Sequence, residues 1–167
     1  MGAQLSIALY QPDIAGNTGT ILRLGACLGL PVEVIEPAGF DLSDRALKRA
    51  GMDYVAMSQL VRHLDFSTFE KARRTCGRRL VLLSTQGQTR YTDFRYTAGD
   101  ILLFGRESAG VPEAIHRVVD ATVTIPMDGG GRSLNLAVAV GMAAGEALRQ
   151  LRWAGDLVTD STSLASD

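Results

Sequence analysis

The chain has 167 residues, 46% of them hydrophobic and 21% charged, which is typical of one globular domain and excludes a large multidomain protein. The formal net charge of −1, with a pI of about 6.1, counts against a generic nucleic-acid binder. The first residues lack the basic start and long apolar core typical of a signal peptide, and no apolar run reaches about 18 residues. Cys27 and Cys76 match no disulfide or metal spacing, so we expect a cytoplasmic protein.

Short β-rich apolar runs alternate along the chain with longer amphipathic segments. Strands are predicted at 5–10, 32–35, 80–83, 101–104 and 122–125. Helices are predicted at 18–28 after a turn at 14–17, at 43–49, from a capping box that begins at Ser67, and at 134–151. This alternation predicts an α/β fold with a mainly parallel sheet flanked by helices.

The two ends of the C-terminal region differ in character. The predicted helix at 134–151 is apolar almost all round until Glu146, so we expect it to be buried against the sheet or against another protomer. Residues 155–167 are rich in Asp, Ser and Thr and have no periodicity, which predicts a disordered tail. The sequence therefore predicts a single domain over residues 1–154.

Glycines cluster at the ends of three predicted strands, at 15–19, 105–110 and 128–133. In open α/β sheets, ligands bind in the crevice at the carboxyl ends of the strands, so three such loops indicate one shared site. Glycine allows main-chain groups to approach a ligand closely. Three unrelated tight turns remain the alternative.

Several common chemistries are not predicted. Neither the dinucleotide fingerprint nor the phosphate-binding loop occurs, and there is no nucleophile elbow or metal-ligand spacing. The two histidines, His63 and His116, are far from any recognisable nucleophile motif. His63 follows Arg62 in a polar stretch, so we expect it to be exposed or to face RNA.

The glycine-containing loops also carry longer patterns: NTGTILR at 17–23, LLFGRESAGVP at 102–112, and IPM at 125–127 followed by RSLNLAVA at 132–139. In this order they resemble the three motifs of the SPOUT (SpoU-type) RNA 2′-O-methyltransferases. The segments at 35–40, 49–54 and 62–63 resemble small members of that family, which methylate the ribose of the tRNA wobble nucleotide, cytidine or uridine 34. The resemblance spans about residues 5–153.

The resemblance implies a C-terminal trefoil knot, a homodimer, tRNA as partner without DNA or membrane, and S-adenosylmethionine as methyl donor without metal. The positions that match the family's cofactor site are Leu83, Gly105, Ile125, Met127, Ser133 and Leu134. Two alternatives remain: another tRNA or rRNA nucleotide is methylated, or the chain is a non-catalytic RNA-binding module of the same fold.

Three further positions match family residues at the catalytic centre. Arg23 matches an arginine with a catalytic role, and because a guanidinium stays protonated at neutral pH we expect a phosphate clamp rather than a base. A solvated helix arginine is the alternative. Asn17 is expected to cap the first helix and contact the ribose. Glu107 is expected in the same site. Both Glu107 and Asn135 are expected to brace the loops by hydrogen bonds to main-chain groups. Arg106 departs from the neutral residue expected there, and would bind a phosphate or pair with Glu107.

The near-neutral total charge hides an uneven distribution: residues 1–44 carry −4, residues 45–106 carry +7 and residues 107–167 carry −4. The basic middle segment predicts a local RNA footprint, with a solvated helix face as the alternative. Its members are Arg45, Lys48, Arg49, Arg62, Lys71, Arg73, Arg74, Arg78, Arg79, Arg90 and Arg95. We assign RNA binding to Arg45, Arg49, Arg62, His63 and Arg90.

Overall fold

The computed structural model describes residues 4–43, 45–46 and 59–153, in which strands alternate with helices. The strands are β1 Ser6–Tyr10, β2 Val32–Ile35, β3 Leu60–His63, β4 Leu80–Leu83, β5 Thr89–Arg90, β6 Ile101–Phe104 and β7 Ala121–Thr124. The helices are α1 Ala15–Leu28, α2 Phe66–Thr75, α3 Glu113–His116 and α4 Leu136–Leu148, followed by a π-helical turn, Arg149–Trp153. Most of the predicted helix at 43–49, with Lys48 and Arg49, and the predicted tail at 155–167 lie outside the described residues.

The strands form one sheet in the order β3-β2-β1-β6-β4-β7-β5, and each recorded pairing is parallel. The predicted α/β fold with a parallel sheet flanked by helices is therefore confirmed. Each of the five predicted strands lies within one residue of an observed strand. The sequence missed β3 and β5, which lie at the two edges of the sheet and lack the apolar runs of the buried strands.

Helix starts differ from the sequence prediction in two places. The N-cap of α1 is Ile14, so the predicted turn at 14–17 is largely the first turn of the helix and Asn17 lies inside it. The prediction that Asn17 caps α1 is wrong. The cap of α2 is Asp65, whose Oδ1 accepts a hydrogen bond from Thr68 N at 2.7 Å, so the helix starts before the predicted Ser67.

The sheet buries both faces, as a parallel sheet flanked by helices does. Successive residues of β1 alternate: Ile7 and Leu9 pack on the side of α1 and α4, whereas Ala8 and Tyr10 pack on the side of α2 and α3. Within the described ranges, no helix has the length and apolar character needed to span a bilayer.

One face of α4 packs against α1 and β6, and the other is open to solvent in the single chain. Val140 and Ala144 are buried, whereas Val138 is 51% exposed and Met142 is 38% exposed. The prediction that this helix is buried against the sheet is therefore confirmed for one face, and burial of the other face against another protomer stays a prediction.

Part of the predicted RNA footprint is structural. Arg73 is only 7% exposed, and it donates to Glu70 at 2.6 Å and to Asp120 at 2.8 Å. Hydrogen bonding to Glu70 raises the pKa of Arg73 above its ordinary value, against the opposing effect of burial. Arg79 pairs with the fully buried Asp100 at 2.7 Å. A buried charge needs such partners, so Arg73 is not a free RNA contact and its inclusion in the footprint is wrong.

A second buried polar cluster accounts for Arg78 and His63. Arg78 donates to Glu33 Oε1 at 3.1 Å and to Ser6 Oγ at 2.7 Å. His63 Nε2 lies 2.9 Å from Glu33 Oε2, and its ring meets that of Phe69 edge to face. Because His63 is 9% exposed, the prediction of an exposed histidine is wrong. The polar residues next to His63 in the sequence gave no sign that this last residue of β3 is buried.

Candidate functional site

A cavity of about 540 Å³ lies at the carboxyl ends of β4, β6 and β7. Its walls come from the strand ends and from the loops that carry the second and third sequence patterns. The six predicted cofactor positions all line it: Leu83, Gly105, Ile125, Met127, Ser133 and Leu134. Sequence reasoning missed other lining residues, among them Ser84, Thr85, His116 and Arg132. Ser84 and Thr85 follow β4 directly, so their position at a strand end was the available signal.

The loop 105–110 has a backbone geometry that requires glycine at both ends. Arg106 and Gly110 exchange main-chain hydrogen bonds of 3.0 and 2.9 Å. A Cβ on Gly105 would lie 2.5 Å from the Gly110 carbonyl carbon, which is closer than real Cβ atoms come. Gly110 has a φ of +64°, in the left-handed region that favours glycine. The two glycines therefore fold the loop tightly at the end of β6.

Glu107 joins this loop to the turn before α1. Its carboxylate accepts hydrogen bonds from Asp13 N at 2.8 Å, from Ile14 N at 3.3 Å and from Asn17 Nδ2 at 3.3 Å. Two of these donors are the main-chain groups that the bracing prediction called for. Glu107 thereby satisfies N–H groups at the start of α1, where a helix leaves them without partners.

Asn135 connects the third loop to the other two. It is the N-cap of α4, where its Oδ1 accepts from Ala137 N at 2.9 Å and from Val138 N at 3.3 Å. Its Nδ2 donates to Asn17 Oδ1 at 3.0 Å. Asn17 therefore bridges Glu107 and Asn135, and side chains from all three sequence patterns form one hydrogen-bonded chain along the cavity.

Arg106 pairs with Asp13 rather than with Glu107, which corrects one of the two alternatives considered for it. Arg106 Nη2 lies 2.8 Å and Nε 3.2 Å from Asp13 Oδ1. Ser108 donates to the other oxygen, Oδ2, from N at 3.0 Å and from Oγ at 2.6 Å. The hydrogen bonds from Ser108, and then those from Arg106, lower the pKa of Asp13 from 3.8 to about 2. Sequence reasoning did not single out Asp13.

The basic candidates lie elsewhere. Arg23 is exposed on α1 and is not among the residues that line the cavity. Arg62 pairs with Glu36 at 2.8 Å. None of Arg45, Arg62, His63 and Arg90 lines the cavity. Arg132, by contrast, is exposed and lines it, and its side chain has no recorded hydrogen bond or ion pair with the described residues.

A parallel α/β sheet with a ligand-sized cavity at its carboxyl edge, framed by glycine loops, defines the class of open α/β proteins, which bind their ligands at the strand ends. Among the described residues, no group of three or more His, Cys, Asp and Glu side chains could hold a metal ion. Residues 4–145 match the SpoU rRNA Methylase family, and the chain belongs to that family.

Similar proteins cover nearly the whole chain. A tRNA (cytidine(34)-2′-O)-methyltransferase of Beijerinckia indica subsp. indica is 58% identical over 145 residues, 87% of this chain and 91% of the relative. A solved structure described as "Structural insights into the 2-OH methylation of C/U34 on tRNA" has a TM-score of 0.82 and 46% identity, and covers 89% of this chain and 96% of its own. An AdoMet-bound rRNA methyltransferase from Sinorhizobium meliloti has a TM-score of 0.80 and 29% identity over 89% of this chain and 57% of its own.

Proposed function

We propose that this chain is an S-adenosylmethionine-dependent tRNA 2′-O-methyltransferase that acts on the ribose of the wobble nucleotide, cytidine or uridine 34. The observation that carries the proposal is the hydrogen-bonded chain of Glu107, Asn17 and Asn135, which brings the three family motifs to one cavity. Relatives named for C34 methylation, at up to 58% identity, support the choice of nucleotide.

The cavity suits the methyl donor. Its volume of about 540 Å³ is in the range of pockets for ligands of this size, roughly 300–1,000 Å³. Leu83, Ile125, Met127 and Leu134 give it apolar walls, and Ser133 and the main chain at the strand ends add polar groups. Such a lining can hold an adenine ring between aliphatic side chains and hydrogen-bond its edge from the backbone.

When bound, S-adenosylmethionine supplies an activated methyl group on its sulfonium sulfur. This chain must place the ribose 2′-oxygen in line with that methyl group and exclude competing orientations. Such positioning can lower the activation free energy by several kcal/mol. Because Glu107, Asn17 and Asn135 are tied to one another, the walls of the site are held before substrate arrives. Arg23 is assigned to clamping a phosphate near the ribose, and the 2′-hydroxyl proton is released to solvent as the oxygen attacks.

The family features also form part of the proposal. The chain is a single domain over residues 1–154 in the cytoplasm, with a C-terminal trefoil knot, and it works as a homodimer. Return of the chain after β7 to pack α4 against α1 and β6 supports a threaded C-terminal segment. The solvent-exposed apolar side chains Val138 and Met142 support a second copy on the open face of α4. Arg23 is then assigned to the edge shared by the two copies.

The decisive experiment is a methyl-transfer assay on total tRNA from cells that lack the gene, followed by mapping of the modified nucleotide. We expect 2′-O-methylation at nucleotide 34. Modification at another nucleotide would favour the alternative that another tRNA or rRNA nucleotide is methylated. Absence of S-adenosylmethionine binding by calorimetry would favour a non-catalytic RNA-binding module.

Substitution of Arg23 by Ala tests the clamp. We expect Arg23→Ala to abolish transfer and to leave the calorimetric affinity for S-adenosylmethionine largely intact, because Arg23 does not line the cofactor cavity. Arg117→Ala is the matched control, since Arg117 is an exposed helix-end arginine that also lies outside the cavity lining. Transfer by Arg23→Ala at the parental rate would show that the assignment is wrong.

A further inference from the structure

The turn between β1 and α1 has an unusual backbone. Gln11 has a φ of +44°, a backbone conformation that residues other than glycine rarely adopt. Its N–H donates to Ile35 O at 2.8 Å, and Gly39 N donates to Pro12 O at 2.8 Å. A Cβ on Gly39 would lie 2.9 Å from Asp13 O, so the turn is also held tightly from the side of β2. Such conformations persist where the surroundings hold them, and they cluster at functional sites.

Asp13 and Glu107 hold this turn and the loop 105–110 together reciprocally. Asp13 accepts four hydrogen bonds from that loop, two from Arg106 and two from Ser108. Glu107, between those two residues, accepts from Asp13 N and Ile14 N in the opposite direction. The two segments are more than 90 residues apart in the sequence, so these bonds are tertiary contacts.

Glu107 is also the residue that reaches Asn17, and through it Asn135. Its backbone lies between the two residues that Asp13 binds, so a shift of the loop relative to the turn would move the Glu107 carboxylate. A displacement of about 1 Å at a reacting centre can cost about a hundredfold in rate. Loss of the Asp13 contacts would therefore affect transfer through Glu107 and Asn17.

We propose that Asp13 is a positioning residue for methyl transfer, which fixes the loop 105–110 against the turn before α1 and so holds Glu107 and Asn17 in place at the cavity. The inference rests on the proposed function. Arg106 is its partner and contributes through the ion pair with Asp13, which accounts for a basic residue at a position where a neutral one is expected.

The test compares Asp13→Asn, Arg106→Gln and the double variant, with Glu113→Gln as control. Glu113 also pairs with an arginine, Arg117, but it lies outside the cavity lining. Single-turnover methyl transfer at saturating tRNA and S-adenosylmethionine is measured together with KM for tRNA, cofactor affinity and melting temperature. We expect Asp13→Asn to slow transfer by about tenfold or more, with less than about a threefold change in KM and cofactor affinity.

The double variant should be within about twofold of Asp13→Asn, because residues that act through one contact are not additive. The inference would be overturned by a double variant in which the rate losses of the two single variants multiply, or by a parental transfer rate in Asp13→Asn. It would also be overturned by a fall in transfer rate that is matched by falls in cofactor affinity and melting temperature. Glu113→Gln should keep the parental rate, and an equal loss there would also count against it.

Ser108→Ala, together with Arg106→Gln, keeps the question decidable if Asp13→Asn does not fold. Ser108→Ala removes one donor to Asp13 and leaves the ion pair, so it should slow transfer by a few fold without weakening cofactor binding. An unchanged rate in both Ser108→Ala and Arg106→Gln would overturn the inference. An unsubstituted chain that neither binds S-adenosylmethionine nor methylates tRNA would overturn the proposed function and this inference with it, whereas an active chain with insensitive variants overturns only the inference.

Discussion

Arg106 and Arg132 both lie at the cavity, but their surroundings differ. Arg106 is neutralised by Asp13, whereas Arg132 follows three glycines, is exposed, and has no recorded ion pair with the described residues. An arginine fork suits phosphate oxygens, and RNA is a polyanion that passes the mouth of this site in the proposed function. Arg132 is therefore a residue where binding of the RNA backbone can be tested directly.

We predict that Arg132→Ala weakens tRNA binding and reduces the salt dependence of that binding. Loss of one phosphate contact should lower the slope of log K against log salt by about 0.7 to 0.9. Affinity for S-adenosylmethionine should stay close to the parental value. Filter binding over a salt series and calorimetry measure the two quantities, with Arg117→Ala as a control of equal charge. A parental salt slope together with weakened cofactor binding would instead mean that Arg132 contacts the carboxylate of the cofactor.

Single residues were the level at which sequence prediction worked least well. The predicted cofactor positions could be expected to meet, because they lie near the carboxyl ends of parallel strands, which share one edge of the sheet. Asn17 was misplaced because Ala15 and Gly16, the two residues ahead of it, already belong to α1. His63 and Arg73 were taken as surface groups because their partners, Glu33 and Asp120, are distant in the sequence.

At the scale of elements, the glycines differ in how much space surrounds them. Gly105 lies against Gly110, whereas Gly130 has nothing within 4 Å of the position a Cβ would take. Gly105 therefore fixes how β6 continues into the loop 105–110, whereas a side chain at Gly130 would have space.

We predict that Gly105→Ala destabilises the fold by about 1–3 kcal/mol, the usual cost of forcing an extra methyl into a packed site, and removes binding of S-adenosylmethionine. The free energy of unfolding of Gly130→Ala should lie within about 0.5 kcal/mol of the parental value. Urea unfolding and calorimetry provide both comparisons. Equal behaviour of the two variants would mean that the close approach at Gly105 is not what shapes the loop.

The buried strands were predictable because each is a continuous apolar run bounded by polar or glycine residues. β3 and β5 were not, because an edge strand is defined by its neighbour. β3 pairs with β2 alone and ends in Arg62 and His63, and β5 is two exposed residues beside β7. Pairing partners of this kind follow from the tertiary arrangement of the sheet.

For the whole molecule, the exposed feature of interest is the face of α4 that is open to solvent in the single chain. Val138 and Met142 are one helical turn apart and both exposed. Apolar side chains grouped on one face are typical of an interface between protein chains.

We predict that the double variant Val138→Glu with Met142→Glu converts a dimer into a monomer, because it would place charges in a desolvated contact. Leu64→Glu is the control, since Leu64 is 79% exposed but lies after β3, away from that face. Sedimentation velocity measures the change. A parental chain that sediments as a monomer at micromolar concentration, or a double variant that stays dimeric, would contradict the proposed interface.

The acid stability of the molecule should depend on Asp13. Its pKa is lowered to about 2 by hydrogen bonds from Ser108 and Arg106, so its stabilising effect is complete above about pH 4 and is lost as the pH falls toward 2. The difference in unfolding free energy between the parent and Asp13→Asn should therefore be constant from pH 6 to 4 and shrink below pH 4. Urea unfolding across this range measures it.

Asp128→Asn serves as the control for that series, because Asp128 is exposed and has no recorded hydrogen bond or ion pair with the described residues. The change for Asp13→Asn is measured relative to this variant over the same range. A difference for Asp13→Asn that stays flat to pH 2.5 would show that the Asp13 carboxylate is not held by Ser108 and Arg106 in solution.

The amino-acid sequence by itself determined the α/β class, the core strands and the edge of the sheet where the cavity lies, because strand periodicity and glycine placement are local. The charge distribution could not be interpreted in the same way. The +7 of residues 45–106 suggested a single RNA surface, yet Arg73 and Arg78 are bound inside the fold and Arg106 by Asp13. Only the tertiary structure decided which charges are available, because an ion pair depends on distance in space, and these partners are up to 93 residues apart in the chain.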